Sequence, residues 1–254
     1  TQAKRPHTRD TISVGDRVQF QPESDTAGVI EAALPRTTRF ARSGFRGEEH
    51  TLVCNIDLIV IVFACEDPRP DPWKLDRFLV TAELQSIEPL IIGNKIDKVS
   101  EKDFTEIFAE WRNVGYKVIG SSAKLGIGIE EIRQQLKGKV SAFVGPSGVG
   151  KSSLLNAVQQ GLKLRTTEVG EVTHKGKHTT TAAQLIPLDI GGWVADTPGL
   201  RQLDLIETDR EIIIECFPEL NELSGMCRFD NCRHDSEPGC ALKAAVEKGS
   251  ISER

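Results

Sequence analysis

KVSAFVGPSGVGKSSLLNAV, residues 139–158, spells out a strand, a glycine-rich turn and the start of a helix. Lys139 to Val144 is a short β-branched and aromatic run that reads as a buried strand. Ser152 to Val158, with Leu154, Leu155 and Val158 on one face, reads as a helix. Between them, Gly145-Pro146-Ser147-Gly148-Val149-Gly150-Lys151-Ser152 matches the pattern GxxxxGK(S/T). Glycines let backbone N–H groups converge on phosphate oxygens, Lys151 reaches the β and γ phosphates, and the Ser152 hydroxyl binds Mg²⁺. The helix that follows directs its positive end at the same anion. The nucleotide-binding residues expected here run from Gly145 through Ser153. A chance glycine-rich turn would not need the strand before it and the helix after it.

At 254 residues the chain can hold more than one domain, and 39% hydrophobic with 27% charged residues is ordinary for a globular protein. The longest apolar run, Leu58 to Ala64, is far short of the ~20 residues that span a bilayer, and the charged start TQAKRPHTRD is no secretory signal. These features predict a cytoplasmic protein with no membrane partner. The net charge of −5 is unevenly spread: residues 1–46 carry eight Lys or Arg against five acids, residues 204–254 six against twelve. Cys54, Cys65 and Cys216 lie in apolar surroundings, as small buried reduced thiols do.

Residues 1–46 contain VGDRVQF, AGVIEAAL and PRTTRFARSGFR, short alternating segments that suggest a small β-domain, plausibly a barrel. From Ala33 to Arg46 there are four Arg, two Phe and no acid, which suits phosphate contacts with stacking nearby and equally suits a solvated basic edge strand. From Asn55 strands and helices alternate, as in a parallel sheet covered on both faces. Strands are expected at 58–63, 90–93, 117–119 and 184–188, and helices at 73–84, 102–113 and 129–136.

Other short signals fall where strands of this sheet end. Asn94-Lys95-Ile96-Asp97 follows PLIIG: the Asp97 carboxylate can accept from N1–H and the 2-amino group of guanine, Lys95 can lie over the base, and Asn94 can tie neighbouring loops. Ser121-Ser122-Ala123-Lys124 follows KVIG and offers the Ala123 N–H to the guanine 6-oxo group. Asp196-Thr197-Pro198-Gly199 follows WVA, with Asp196 placed to hold a water of the Mg²⁺ shell and the Gly199 N–H to sense the γ phosphate. Of Thr179, Thr180 and Thr181, Thr180 is the expected Mg²⁺ ligand beside Ser152. Near the end, Cys227-x4-Cys232-x-His234-x5-Cys240 supplies three thiolates and an imidazole, a closed structural zinc site with no position for a catalytic water.

Four motifs on one sheet are jointly specific, and together they resemble the GTPases among P-loop proteins. Their order is permuted: NKID and SSAK precede GPSGVGKS and DTPG follows it, with the cut just after Gly199. With GKHTTT at 176–181 and the Cys/His cluster, this order resembles the ribosome small-subunit-dependent GTPase A family, also called YjeQ. The resemblance covers nearly the whole chain. It implies a multidomain protein: an N-terminal OB-fold β-barrel for RNA binding at 1–46, incomplete because its initial strand or strands are missing, a circularly permuted α/β P-loop GTPase domain at 47–203, and a C-terminal zinc-binding domain at 204–254. It further implies GTP hydrolysis stimulated by the small ribosomal subunit, late in assembly of that subunit and maturation of its rRNA, by a monomer carrying one structural Zn²⁺ and using Mg²⁺ with GTP. Where related GTPases place a water-orienting glutamine this chain has Leu200, and the resemblance points to His178 as its replacement. Two other readings differ in class: an RNA-binding assembly scaffold in which GTP is a structural ligand, and an ATP-using P-loop enzyme in which NKID is accidental.

Overall fold

A computed structural model describes residues 12–25, 27–43, 49–161, 184–196, 210–223 and 225–253. Its centre is a six-stranded sheet. Strands β5 (Leu58–Ala64), β6 (Glu88–Asn94), β7 (Val118–Ser121) and β8 (Val140–Val144) are parallel, as is β10 (Trp193–Asp196), and β9 (Gln184–Pro187) closes one edge antiparallel to β10. The spatial order is β7-β6-β5-β8-β10-β9, which puts the strand feeding the glycine-rich loop in the interior. All seven residues of β5 are buried, because both faces of this strand are covered.

The alternation within β5 sorts the core into two layers. Ile59, Ile61 and Phe63 pack with Leu75, Phe78 and Leu79 of helix α1 (Pro72–Leu84). Leu58, Val60 and Val62 pack instead with α4 (Ile129–Leu136) and α5 (Lys151–Val158). Each fully buried aliphatic or aromatic side chain in these layers contributes about 1.5–3 kcal/mol.

The helix expected over 102–113 is two helices, α2 (Glu101–Ile107) and α3 (Ala109–Val114). The break at Phe108 has a packing cause. Phe108 is fully buried, its ring 5.5 Å from that of Phe104 and 6.1 Å from that of Trp111. The two phenylalanine rings pack over β6 at Gly93, where a Cβ would lie 2.6 Å from Phe108 and 2.7 Å from Phe104. Bending at Phe108 lets Phe104 and Phe108 cover the sheet while Trp111 donates to Asp76 of α1 at 2.8 Å.

Ahead of the sheet, the described N-terminal strands form two pairs, β1 (Val18–Ser24) with β2 (Ala27–Ala33) and β3 (Arg39–Ser43) with β4 (Glu49–Cys54). The boundary expected between residues 46 and 47 falls inside the second pair. Phe40 and Val53 of that pair are buried in the α1-side core layer, so the N-terminal unit is seated on the sheet domain. Polar contacts brace this unit internally and, through Asn55, at its junction with the sheet. Arg36 donates from Nε to Asp16 Oδ1 and from a terminal nitrogen to Oδ2, both at 2.7 Å. Asn55 donates to Gly15 O at 2.8 Å and accepts from the Thr37 N–H at 2.8 Å.

At the other end, α6 (Arg210–Glu215), α7 (Pro218–Asn221) and α8 (Ala241–Glu247) complete the described chain. A cleft of about 170 Å³ lies where Cys216, Phe217 and Leu220 meet Leu79, Trp111 and Tyr116. Burial, with Glu83 beside it, pushes the Tyr116 hydroxyl well above its ordinary pKa. No described helix is long and apolar enough to cross a membrane.

Asp16 yields a pH prediction. Its side chain is 1% exposed, and hydrogen bonds from the Arg36 guanidinium pull its pKa down to about 2 from 3.8. A carboxylate depressed on folding contributes stability above its unfolded pKa and loses it as pH falls through the folded value, here between about pH 4 and pH 2. Asp16→Asn is expected to lower stability by roughly 2 kcal/mol at neutral pH, with the difference from wild type shrinking below pH 4 in urea unfolding.

Candidate nucleotide site and metal centre

The glycine-rich loop joins β8 to α5 at the C-terminal edge of the sheet. Gly145 has φ 134° and a Cβ there would collide with the Val62 carbonyl of β5. Gly150, the N-cap of α5 at φ 94°, lies against the Asn94 side-chain amide with no room for a Cβ. Between them Val149 is buried and anchors the loop to the α5-side core layer. Lys151 donates from Nζ to the Gly145 and Pro146 carbonyls, 2.6 Å each, which holds the ammonium inside the curve of the loop. Ser152 is half-buried in the first turn of α5, and Ser147, Gly148 and Ser153 are exposed.

The base-reading loops flank this one. Asn94 ends β6 and is 2% exposed. Its Nδ2 donates to Val149 O at 2.8 Å, and its Oδ1 accepts from the Ala123 N–H at 3.2 Å and the Ser121 hydroxyl at 3.3 Å. One buried amide therefore ties the phosphate loop to the loop after β7. Beyond it Lys95 sits at φ 63°, and Ile96–Lys98 forms a short 3-10 turn. Asp97, exposed in that turn, accepts from the Ser122 hydroxyl at 2.5 Å, and that hydrogen bond holds its carboxyl below the usual carboxylate range. Ser122 is buried and shapes the Asp97 side chain, while Lys124 is exposed beside it and adds a favourable charge. The Ala123 N–H, expected to face a guanine 6-oxo group, has the Asn94 amide oxygen as a protein partner.

The four C-terminal donors also come together. The ligand atoms of Cys227, Cys232, His234 and Cys240 all lie within 4.8 Å of one another. His234 Nδ1 is 3.5 Å from Cys227 Sγ and 3.4 Å from Cys240 Sγ. A tetrahedral ion with the bond lengths of zinc would set a nitrogen-to-sulfur edge of roughly 3.6 Å, so the donor set fits a metal ion of that kind. The Ala241 N–H donates to Cys227 Sγ at 3.3 Å, an outer contact suited to a thiolate.

The sequence profile of the RsgA GTPase family matches residues 33–206. A small ribosomal subunit biogenesis GTPase RsgA from Moorella thermoacetica is 46% identical over 237 residues, covering 93% of this chain and 79% of that protein. The chain belongs to the RsgA GTPase family. Among solved structures, YjeQ from Thermotoga maritima superposes with a TM-score of 0.80 at 38% identity, covering 96% of this chain and 80% of that one. YloQ, described as a circularly permuted GTPase, gives 0.75 at 33% identity, covering 98% and 78%. The permuted motif order is thus a property shared with RsgA-family structures.

Several residues expected in the RsgA-type site lie outside the described residues: His178, Thr179, Thr180, Thr181, Gly199 and Leu200. Asp196 is described in its backbone, as the last residue of β10. One contributor was missed in the sequence. Asp67, in the loop after β5, accepts Lys95 Nζ at its carbonyl and pairs with Lys98 through its carboxylate at 3.0 Å. Neighbouring Pro68 lies against Gly148 of the phosphate loop. The signal available was EDPRPDP, a proline-rich turn at the ligand-binding edge of a parallel strand. Beside it opens a cleft of about 720 Å³ lined in part by Glu66, Arg69, Asp97, Lys98 and Trp111. At its floor Cys65 is a buried thiol pushed up to about 12 by burial and by Asp97, so it is inert.

Asn94→Ala removes three hydrogen bonds, each with a net value of about 1 kcal/mol, and frees both loops at once. GDP affinity by calorimetry is expected to fall roughly 10- to 100-fold while the folded chain remains intact.

Proposed function

We propose that this chain binds GTP and hydrolyses it to GDP and phosphate in assembly of the small ribosomal subunit, turning over faster when seated on that subunit. The observation that carries this reading is the convergence of NKID, SSAK and the phosphate loop on one buried amide, Asn94, at the ligand-binding edge of the sheet. The names of the RsgA relatives supply the ribosomal context.

In this reading Asp97, already oriented by Ser122, accepts the guanine N1–H and 2-amino hydrogens. Lys95, steadied by the Asp67 carbonyl, covers the base. Backbone N–H groups of 145–153 and Lys151 hold the phosphates. Ser152 and Thr180 would hold Mg²⁺, which when bound neutralises charge on the β and γ oxygens. Asp196 and Gly199 would serve the γ phosphate, and His178 would orient the attacking water in place of the apolar Leu200. An imidazole can accept or donate to water near neutral pH, which a leucine cannot.

The N-terminal strands are proposed to belong to an OB-fold that contacts rRNA. The proposed domain division is 1–54, 55–203 and 204–254, the first boundary moved from 46/47 so that the β3–β4 pair stays whole. Cys227, Cys232, His234 and Cys240 would hold one structural Zn²⁺, which supplies fold to a segment poor in apolar residues. The protein would work as a monomer in the cytoplasm. The chain passes in sequence from Asp196 to the zinc-binding segment, and Phe217 and Leu220 of that segment meet α1 and α3, so loss of the γ phosphate is proposed to move it.

GTP hydrolysis by the purified chain is the test, measured with and without isolated small ribosomal subunits and with ATP as control. The expected outcome is at least roughly tenfold stimulation, specific to GTP and lost in His178→Ala. Intact GTP binding without stimulated turnover would favour a scaffold with GTP as a structural ligand, and equal use of ATP would contradict the guanine reading.

A further inference from the structure

The loop from Cys232 to Cys240 is organised on a carboxylate that is not one of the four metal-facing donors. Glu237 Oε1 accepts the Arg233 N–H at 3.0 Å, and Oε2 accepts the N–H groups of Asp235 at 3.0 Å and Ser236 at 3.1 Å. These three peptides bracket His234. That histidine has φ 61°, the left-handed region that a residue with a Cβ occupies at a cost. In this conformation His234 Nδ1 reaches both Cys227 and Cys240 sulfurs. Further ties hold the loop from outside: Lys243 Nζ donates to Asp235 O at 2.9 Å, and the Arg228 N–H donates to Gly239 O at 3.0 Å.

We propose that Glu237 is a positioning residue of the metal centre, fixing the 233–236 turn so that His234 enters the thiolate cluster already in its ligand geometry. Charge-assisted hydrogen bonds from backbone N–H groups to a carboxylate are roughly twice as strong as neutral ones, and three of them converge here. Without them the turn is free to relax from its left-handed residue and to carry the imidazole out of its place beside the Cys227 and Cys240 sulfurs. Glu237 acts through the backbone and touches no donor atom of the site. An ordinary turn cap would change the stability of the loop; a positioning residue changes the metal affinity of a chain that is still folded. This inference rests on reading the cluster as a metal site.

The test uses the full chain with Co²⁺ as a spectroscopic probe of thiolate ligation and Zn²⁺ affinity by chelator competition. GDP binding serves as the check that each variant is folded. Glu237→Ala and Glu237→Gln are expected to weaken both metals about 10- to 100-fold, the range typical of outer-shell partners. The Gln variant is isosteric, so it carries the test should the Ala variant unfold the segment; its amide NH₂ opposes peptide donors instead of accepting them. Asp230→Asn removes a charge from an exposed acid of the same segment and is expected to stay within about threefold of wild type. Wild-type affinity in Glu237→Gln overturns the proposal, as does an equal loss in Asp230→Asn, which would make the effect one of net charge. A wild-type chain that takes up neither metal would instead overturn the metal reading itself, and the proposal with it.

Discussion

The buried amide of Asn94 is the constraint on which the candidate site depends. A polar group taken out of water costs free energy unless its hydrogen-bonding capacity is met. Asn94 meets it by spanning from Val149 in the phosphate loop to Ser121 and Ala123 after β7. Neither loop could shift alone without leaving part of this amide unsatisfied. The parallel sheet makes the span possible, because β5, β6, β7 and β8 all deliver their C-terminal ends to one edge. Glycine at position 150 is required by the same contact, since any side chain there would occupy the space of the Asn94 amide.

This network explains why permutation is tolerated. The contacts that build the site are between loops and are indifferent to the order in which the chain visits the strands. Moving the termini changes which loops are connected to neighbouring domains. Here β10 is followed in sequence by the segment that carries the Cys/His cluster, and β4 leads into β5 through Asn55, Ile56 and Asp57, so the N-terminal unit enters on the strand beside β8. The two appendages thus attach at different strands of one sheet.

Much of this was legible in the sequence. The phosphate loop, the alternation that builds the parallel sheet and the Cys/His spacing each follow from local chemistry, and Asn94 was readable as a tie between loops. The helix over 129–136 formed at the expected residues because its apolar spacing matches one face. What sequence reading missed depends on tertiary packing. The break at Phe108 goes with two aromatics, Phe104 and Phe108, sharing the surface over Gly93 while Trp111 bonds to Asp76 of α1. Ser122 reads as a base-loop residue, yet its hydroxyl orients Asp97. Asp67 carries no motif and acts largely through a carbonyl, which every residue has. The boundary at 46/47 followed a change in composition, whereas the β3–β4 pairing is a long-range contact that composition does not encode.

Base preference is measured by calorimetric titration of wild type and Asp97→Asn with GTP and with xanthosine triphosphate. A carboxylate at 97 accepts from the 2-amino group of guanine, and an amide there can donate to the 2-oxo group of xanthine. Wild type is expected to prefer GTP, and Asp97→Asn to reverse the preference while affinity for its favoured nucleotide is retained. An unchanged preference for GTP in Asp97→Asn would contradict this, because the base would then be read somewhere other than at the loops joined by Asn94.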